Sequence, residues 1–294
     1  MCQFCTEHGE GKKWYLQMKN YADELLHQEL SAKQKEATGA STRAEWLGRF
    51  AECFVIPAIT GVPKPPEEVE RALHPAVELR VPPASEEEIL EGRQITHFGQ
   101  VIPIEDVEKV IDLADSITRV PCGCRFLTTG KANARYCFGL VASGRGGQDA
   151  APDPSSGLEV LTKEEAKRII REYDEEGLIH SIWAGVTPYL IGICNCDRDC
   201  WAYKLYIEQR GVPYFFRAEY VCRVDPDLCN GCKDCIKHCQ FGAQFYSSLL
   251  AKVYIDPTRC FGCGVCRAAC PTDAIQLIPR EEDPQAAGVW LKYP

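Results

Sequence analysis

Residues 229–239 read CNGCKDCIKHC, and residues 260–271 read CFGCGVCRAACP. Each copy spaces its cysteines as C-x2-C-x2-C-x3-C, at Cys229, Cys232, Cys235 and Cys239, and again at Cys260, Cys263, Cys266 and Cys270. Three thiols so close together lie on one tight loop, and the next thiol must reach in from elsewhere. The pattern suits a cubane of iron and sulfide, in which each iron takes one thiolate and the soft core selects sulfur over oxygen. Gly231, Gly262 and Gly264 fit a loop wrapped round such a group, because positive φ and close backbone approach let amide N–H groups point at sulfur. Zinc would use paired C-x2-C units joined by a longer spacer, and a disulfide framework would belong to a secreted chain. Two 4Fe-4S clusters are therefore the expected cofactors.

Over residues 218–282 the chain resembles the bacterial-type two-cluster ferredoxin domain. Besides the spacing, the matching features are the lead-ins Val224-Asp225-Pro226 and Tyr254-Ile255-Asp256-Pro257 and the run Pro271-Thr272-Asp273-Ala274-Ile275. The resemblance implies a ferredoxin-like fold and electron carriage without chemistry of its own. It also implies crossed ligation, the fourth cysteine of each copy serving the other copy's cluster. Cluster 1 would then take Cys229, Cys232, Cys235 and Cys270, and cluster 2 Cys260, Cys263, Cys266 and Cys239. The chain departs from the family at Gln240, where proline is common, and in a slightly longer segment from Phe241 to Tyr254.

A ferredoxin domain is small, so the 294-residue chain has roughly 200 residues left to build one or two further cores. Eighteen cysteines with no charged-then-apolar leader point to a reducing, cytoplasmic location and to cofactor ligation. The least charged stretch, Leu178 to Cys194, is too short for a membrane span and is broken by Gly185, Pro188 and Gly192. Residues 220–294 hold eight basic and eight acidic side chains, so the whole net charge of -9 falls on residues 1–219. That acidic part repels nucleic acid and either steers toward a basic protein patch or is an ordinary solvated surface.

The expected fold class is α+β. Residues 1–56 read as a helical N-terminal region, with apolar positions at helical spacing from Trp14 to Leu30 and from Trp46 to Phe54. Residues 57–84, with seven prolines between Pro57 and Pro83, read as an extended arm or linker. Residues 85–217 form a cysteine-rich accessory α/β domain, residues 218–282 the two-cluster domain, and residues 283–294 a C-terminal tail. Within the accessory domain a helix enters at Pro103, and another starts at the capping box Thr162-Lys163-Glu164-Glu165 and stops at Gly177. Leu178–Trp183 and Tyr189–Ile193 follow as strands, so this helix plus hairpin has a winged-helix-like outline. The Gly144–Gly147 run follows no strand and reads as a solvated loop.

A second group of thiols lies in this middle region. Cys122 and Cys124 form a C-x-C pair on one loop, Cys194, Cys196 and Cys200 lie on another, and Cys137 stands between. Cys122, Cys124, Cys196 and Cys200 are the first choice of ligands, with Cys194 and Cys137 in reserve. A third iron-sulfur cluster, a zinc ion, or a reactive or structural thiol group would each use them. Asp197 can cap a helix through Trp201 to Gly211, which would favour a thiolate at Cys200 in its first turn. The layout, Pro-Cys-x-Cys-Arg and a later Cys-Asn-Cys before a two-cluster domain, also resembles ferredoxin-fused iron-sulfur proteins of anaerobes. Cys2, Cys5 and His8 could supply most of a further metal site, or belong to a mobile terminus. Cys53 and Cys222 read as packing residues, and His180 as a hydrogen-bonded core histidine.

The leading functional reading is an iron-sulfur electron-transfer protein or subunit, passing single electrons to or from an anaerobic oxidoreductase. Its partner would be a redox protein or a catalytic oxidoreductase subunit, with no nucleic acid and no membrane span. The alternative is a stand-alone redox enzyme with its reaction centre at the Cys122/Cys124/Cys196/Cys200 site, so whether the chain is itself an enzyme stays open. A redox-responsive regulator is disfavoured by the acidic helix from Lys163 to Glu176.

Overall fold

The computed structural model describes residues 13–22, 24–65, 68, 99–140, 158–186, 188–200, 203 and 215–289. Cys2, Cys5 and His8, most of the proline-rich segment, the 144–156 loop and nearly all of the expected helix after Cys200 lie outside them. The single helix expected from Trp14 is instead broken into 3-10 turns at Trp14–Leu16 and Met18–Tyr21 and one helical turn, α1 (Glu24–His27). Long-range bonds explain the break. Trp14 donates its indole N–H to Gln100, and Tyr15 its hydroxyl to Asp106 (2.8 Å), both fully buried. Both rings must therefore leave a common helix face.

Helix α2 (Ala32–Thr38) is capped by a reciprocal Ser31–Gln34 box. Helix α3 (Arg43–Phe50), capped by Thr42, runs through a π turn at Ala51–Val55 into α4 (Ile56–Thr60). The helical region therefore continues past the expected boundary at residue 56. Pro57 does not stop it because it lies in the first turn of α4, where a missing N–H costs little.

The middle region is built on one six-stranded antiparallel sheet. In chain order its elements are β1 (Gln100–Val101), α5 (Ile104–Leu113), β2 (Ile117–Pro121), α6 (Gly123–Thr129), β3 (Arg135–Gly139), β4 (Glu159–Leu161), α7 (Lys163–Glu175), β5 (Ile179–Ala184) and β6 (Leu190–Cys196). The strand order is β1-β5-β6-β3-β2-β4. The β5–β6 hairpin therefore lies inside a wide sheet, which replaces the winged-helix-like outline. Hairpin strands bury both faces, and each needs cover that a small wing does not have. One face packs Phe138, Ile182 and Ile193 against Val107, Val110 and Ile111 of α5 and Ala166, Ile169 and Ile170 of α7. The other packs Ile179, Trp183 and Ile191 against Trp46 and Leu30 and carries the middle thiols.

The C-terminal region comprises β7 (Tyr220–Val224), α8 (Asp234–His238), β8 (Gln244–Ser247), β9 (Lys252–Ile255), α9 (Val265–Ala268) and β10 (Ile275–Pro279). Strands β7 and β10 pair antiparallel, as do β8 and β9. The chain enters this region along β1, where the Val101 amide donates to the Phe216 carbonyl (2.9 Å). The two regions are also clamped by side chains. Arg267 bonds Glu105 of α5 through both nitrogens (2.6 and 2.9 Å).

Candidate iron-sulfur sites and a second thiol cluster

In the C-terminal region each cysteine loop is closed by the other half of the repeat. Gly231 and Gly262 both have positive φ (74° and 72°). A Cβ at either would collide with a backbone carbonyl, of Ala251 and Tyr220 respectively, so only glycine lets the loops lie this close to the strands. Cys229, Cys232, Cys235 and Cys270 line one cavity together with Val224, Val253 and Ile275. Burial pushes the Cys239 and Cys263 thiols up, Cys260 raises Cys239 further, and Cys239 and Cys260 both lie close enough to raise Cys263 and Cys266. Cys239 thus lies with the 260–266 loop, and Cys270 with the 229–235 loop.

Backbone amides aim at these sulfurs in matching pairs. The Ala243 N–H points at the Cys239 sulfur and the Ala274 N–H at the Cys270 sulfur, both at 3.3 Å. The Val253 N–H points at Cys229 (3.5 Å), and the Cys222 and Gly262 N–H groups at Cys260 (both 3.4 Å). Such donors stabilise thiolate and tune a cluster's potential. Beside Cys260, the buried guanidiniums of Arg217 and Arg280 both donate to its carbonyl (3.1 and 2.9 Å). Cys222 is a buried packing residue of β7, as expected, and its thiol lies against those of Cys260 and Cys266.

Exposure separates the two sets. Cys232 is exposed, whereas the other seven cysteines of the repeats are buried or partly buried.

All six middle thiols come together, including the two held in reserve. They lie at a helix start, within β3 and β6, and in the turn after β6 rather than on two loops. Cys122 is the N-cap of α6, Cys124 lies in its first turn, Cys137 is in β3, and Cys194 and Cys196 are in β6. Alternate residues of a strand share a face, so Cys194 and Cys196 point the same way. Phe138 pairs with Ile193, which puts Cys137 opposite Cys194. Thiol contacts run Cys122 to Cys137, Cys137 to Cys194, Cys194 to Cys196, Cys196 to Cys200 and Cys200 back to Cys122, a closed ring with Cys124 beside it. The five are linked pair by pair rather than drawn onto one point. Among the described residues no three or more His, Cys, Asp or Glu side chains close on a point to hold a metal ion, the dicluster thiols included.

Electrostatics in the ring differ from the sequence expectation. Cys122, not Cys200, is the favoured thiolate, held well below the ordinary thiol range by the thiols of Cys137 and Cys200 and by the Arg125 guanidinium. Cys200 is pushed well above that range by its contacts with Cys122 and Cys196 and by burial. The Arg125 amide also points at the Cys122 sulfur (3.5 Å), and its side chain pairs with Asp197 (2.7 Å) and bonds the Asn195 carbonyl (3.1 Å). Asp197 is therefore committed to Arg125 as well as to the turn before Cys200. His180 is a buried core histidine, its Nδ1 at 2.7 Å from the Asn195 side-chain oxygen.

The ring joins the ferredoxin-like region at Gln240. The side-chain amide of Gln240 donates to the carbonyls of Gly177 (2.7 Å) and Cys196 (3.5 Å), while the Gln240 backbone carbonyl accepts from Tyr203 and Arg198. Next to it, Phe241 stacks on Phe261 at 3.8 Å between ring centroids.

Residues 228–275 match the family model described as a 4Fe-4S dicluster domain, and this part of the chain is a dicluster ferredoxin domain. Several relatives match over part of the chain. Ferredoxin-1 of Caulobacter vibrioides is 44% identical over 22% of this chain and 56% of its own length. An archaeal-type glutamate synthase [NADPH] of Thermotoga maritima is 36% identical over 24% of this chain and 14% of its own. One subunit of the ion-translocating oxidoreductase complex of Methanosarcina acetivorans is 46% identical over 19% of this chain and 20% of its own. The chain thus spans between about a seventh and just over half of the length of these relatives. No solved structure matches the chain. Among the described residues no helix is long and apolar enough to cross a membrane.

Proposed function

We propose that the chain is an iron-sulfur electron-transfer protein or subunit, carrying single electrons through two 4Fe-4S clusters to or from a catalytic oxidoreductase partner. Cluster 1 is held by Cys229, Cys232, Cys235 and Cys270, and cluster 2 by Cys260, Cys263, Cys266 and Cys239. The observation that carries this reading is the crossed gathering of thiols, with amide N–H groups aimed at the sulfurs on both sides. The residues fit the group, since soft thiols with surrounding N–H donors are what a cubane requires. When bound, the clusters supply reversible one-electron chemistry, and the protein sets their potentials through charge, hydrogen bonds and burial.

The middle thiols fit a third centre of the same kind, drawn from Cys122, Cys124, Cys137, Cys194, Cys196 and Cys200. Support comes from the amide and guanidinium of Arg125, both directed at the Cys122 sulfur like the donors around the dicluster cysteines. Anaerobic reconstitution followed by iron, sulfide and zinc analysis tests both parts. About 12 Fe per chain is expected, and ~8 Fe without zinc would remove the third centre. Cys239→Ala should alter the spectrum of the cluster in the 260–266 loop and spare the one in its own loop. The opposite outcome would refute crossed ligation.

The enzyme reading is supported by the supply of thiols, which exceeds what one cubane uses. It predicts turnover of a small-molecule substrate by the isolated chain with an artificial reductant, lost in Cys196→Ser.

A further inference from the structure

We infer that Gln240 bridges the middle thiol ring to cluster 2, so that the three centres stand in the order thiol ring, cluster 2, cluster 1, with cluster 1 facing outward. The inference rests on the proposal above that the ring holds a redox-active metal centre.

Gln240 directly follows Cys239, a proposed ligand of cluster 2, and its Nε2 reaches the carbonyl of Cys196 in the ring. One peptide unit, one side chain and one hydrogen bond therefore connect the two sites. The aromatic contacts run the same way. Tyr203, just beyond Cys200, lies 6.0 Å from Phe241, and Phe241 stacks on Phe261, the residue after Cys260. The ring thiols share one apolar cluster with Phe241, Phe261 and Cys263. Cys229 and Cys235 belong to a cluster drawn entirely from the C-terminal region, which they share with Cys239, Cys260 and Cys266, so cluster 2 touches both apolar clusters and cluster 1 only this one. Cys232 of cluster 1 is exposed. A proline at 240, as the family often has, could make neither of the side-chain bonds.

Gln240→Leu is a clean probe of the bridge. The Gln240 Oε1 is buried with no partner among the described residues, so losing that desolvated acceptor offsets part of the cost of leaving the Gly177 and Cys196 carbonyls without this donor. The full-length reconstituted protein is mixed rapidly with a one-electron reductant, and the reduction of each centre is followed by freeze-quench electron paramagnetic resonance. In the unaltered protein the ring centre should fill after cluster 2, and its signal should show magnetic coupling to cluster 2. Gln240→Leu should keep the iron content and both cluster spectra, weaken the coupling and slow filling of the ring centre severalfold. Tyr203→Phe, which loses only the hydroxyl bond to the Gln240 carbonyl, should slow it less. Unchanged coupling and rate in Gln240→Leu with full iron content overturn the bridge and leave the third centre standing. Filling of the ring centre ahead of cluster 2 overturns the order. An unaltered chain with no metal in the ring overturns the third centre, and the bridge with it.

Discussion

The sheet region and the dicluster region are stabilised by different means. The sheet region buries Trp14, Phe138, Ile170, Ile182, Ile193 and similar side chains, an apolar core that is complete without any cofactor. In the dicluster region the buried cluster consists of Cys222, Cys229, Cys235, Cys260 and Cys266 with alanines, two valines and one isoleucine. There four of the eleven buried residues are proposed ligands, so under the proposed function metal binding and folding are coupled. A chain can thus place a redox group either inside a fold that stands alone or as part of a small core. Under the proposed function the middle thiols would belong to the first kind and the dicluster thiols to the second.

The largest test of that contrast is metal removal. Anaerobic iron chelation should unfold residues 228–275 while leaving strands β5 and β6 protected in hydrogen exchange. For structural metal sites the coupling between binding and folding is on the order of 10 kcal/mol. Equal protection of both regions in the metal-free chain would break the comparison.

A smaller effect should come from the other side. Ile182→Ala opens a fully buried site between β1 and β6 and should lower the stability of the sheet region by about 2–5 kcal/mol. The iron content and optical spectrum of the dicluster region should not change in conditions where the variant stays folded. Loss of both clusters at the same denaturant midpoint as the sheet would show one cooperative unit instead of two.

The smallest effect concerns the contact between the regions. Tyr220 of β7 lies near Asp106 of α5, and burial, with that carboxylate, pushes its phenol up to about 12. The ordinary phenol value is about 10. Because the folded value is the higher one, its stabilisation is complete below pH ~10 and is lost as pH rises through ~12. The residue is partly exposed to solvent, so screening holds the contribution to ~1 kcal/mol or less. Tyr220→Phe should flatten the decline of stability between these pH values in the cluster-loaded chain, measured by denaturant unfolding. An identical decline in the variant would remove Tyr220 from the account.

The sequence could be read furthest where function depends on local spacing. The two C-x2-C-x2-C-x3-C runs need only a short loop with Gly231 and Gly262 to gather three thiols, so the dicluster segment was legible without a structure. Local signals also placed the Thr162 capping box, the helix after Pro103 and the β5–β6 hairpin. The middle site was only half legible. Reading Cys194 and Cys196 as loop residues hid the period-two signal in C-x-C, which in a strand sets both thiols on one face. Gln240 stood out as an oddity of the motif, but nothing local revealed what it touches.

What the sequence determined by itself was therefore chemistry set within a few residues: soft-ligand loops, helix caps, and a chain divided into an acidic part and a neutral cysteine-rich part. Only the tertiary structure decided that Trp14 and Tyr15 leave the helix to bond Gln100 and Asp106. It also decided that the hairpin sits inside a six-stranded sheet, and that Cys137 closes a ring with thiols almost sixty residues away. The reason is physical. A ligand loop or a cap is stabilised by neighbours along the chain, whereas strand order, burial and side-chain bridges depend on groups brought together only when the whole core forms.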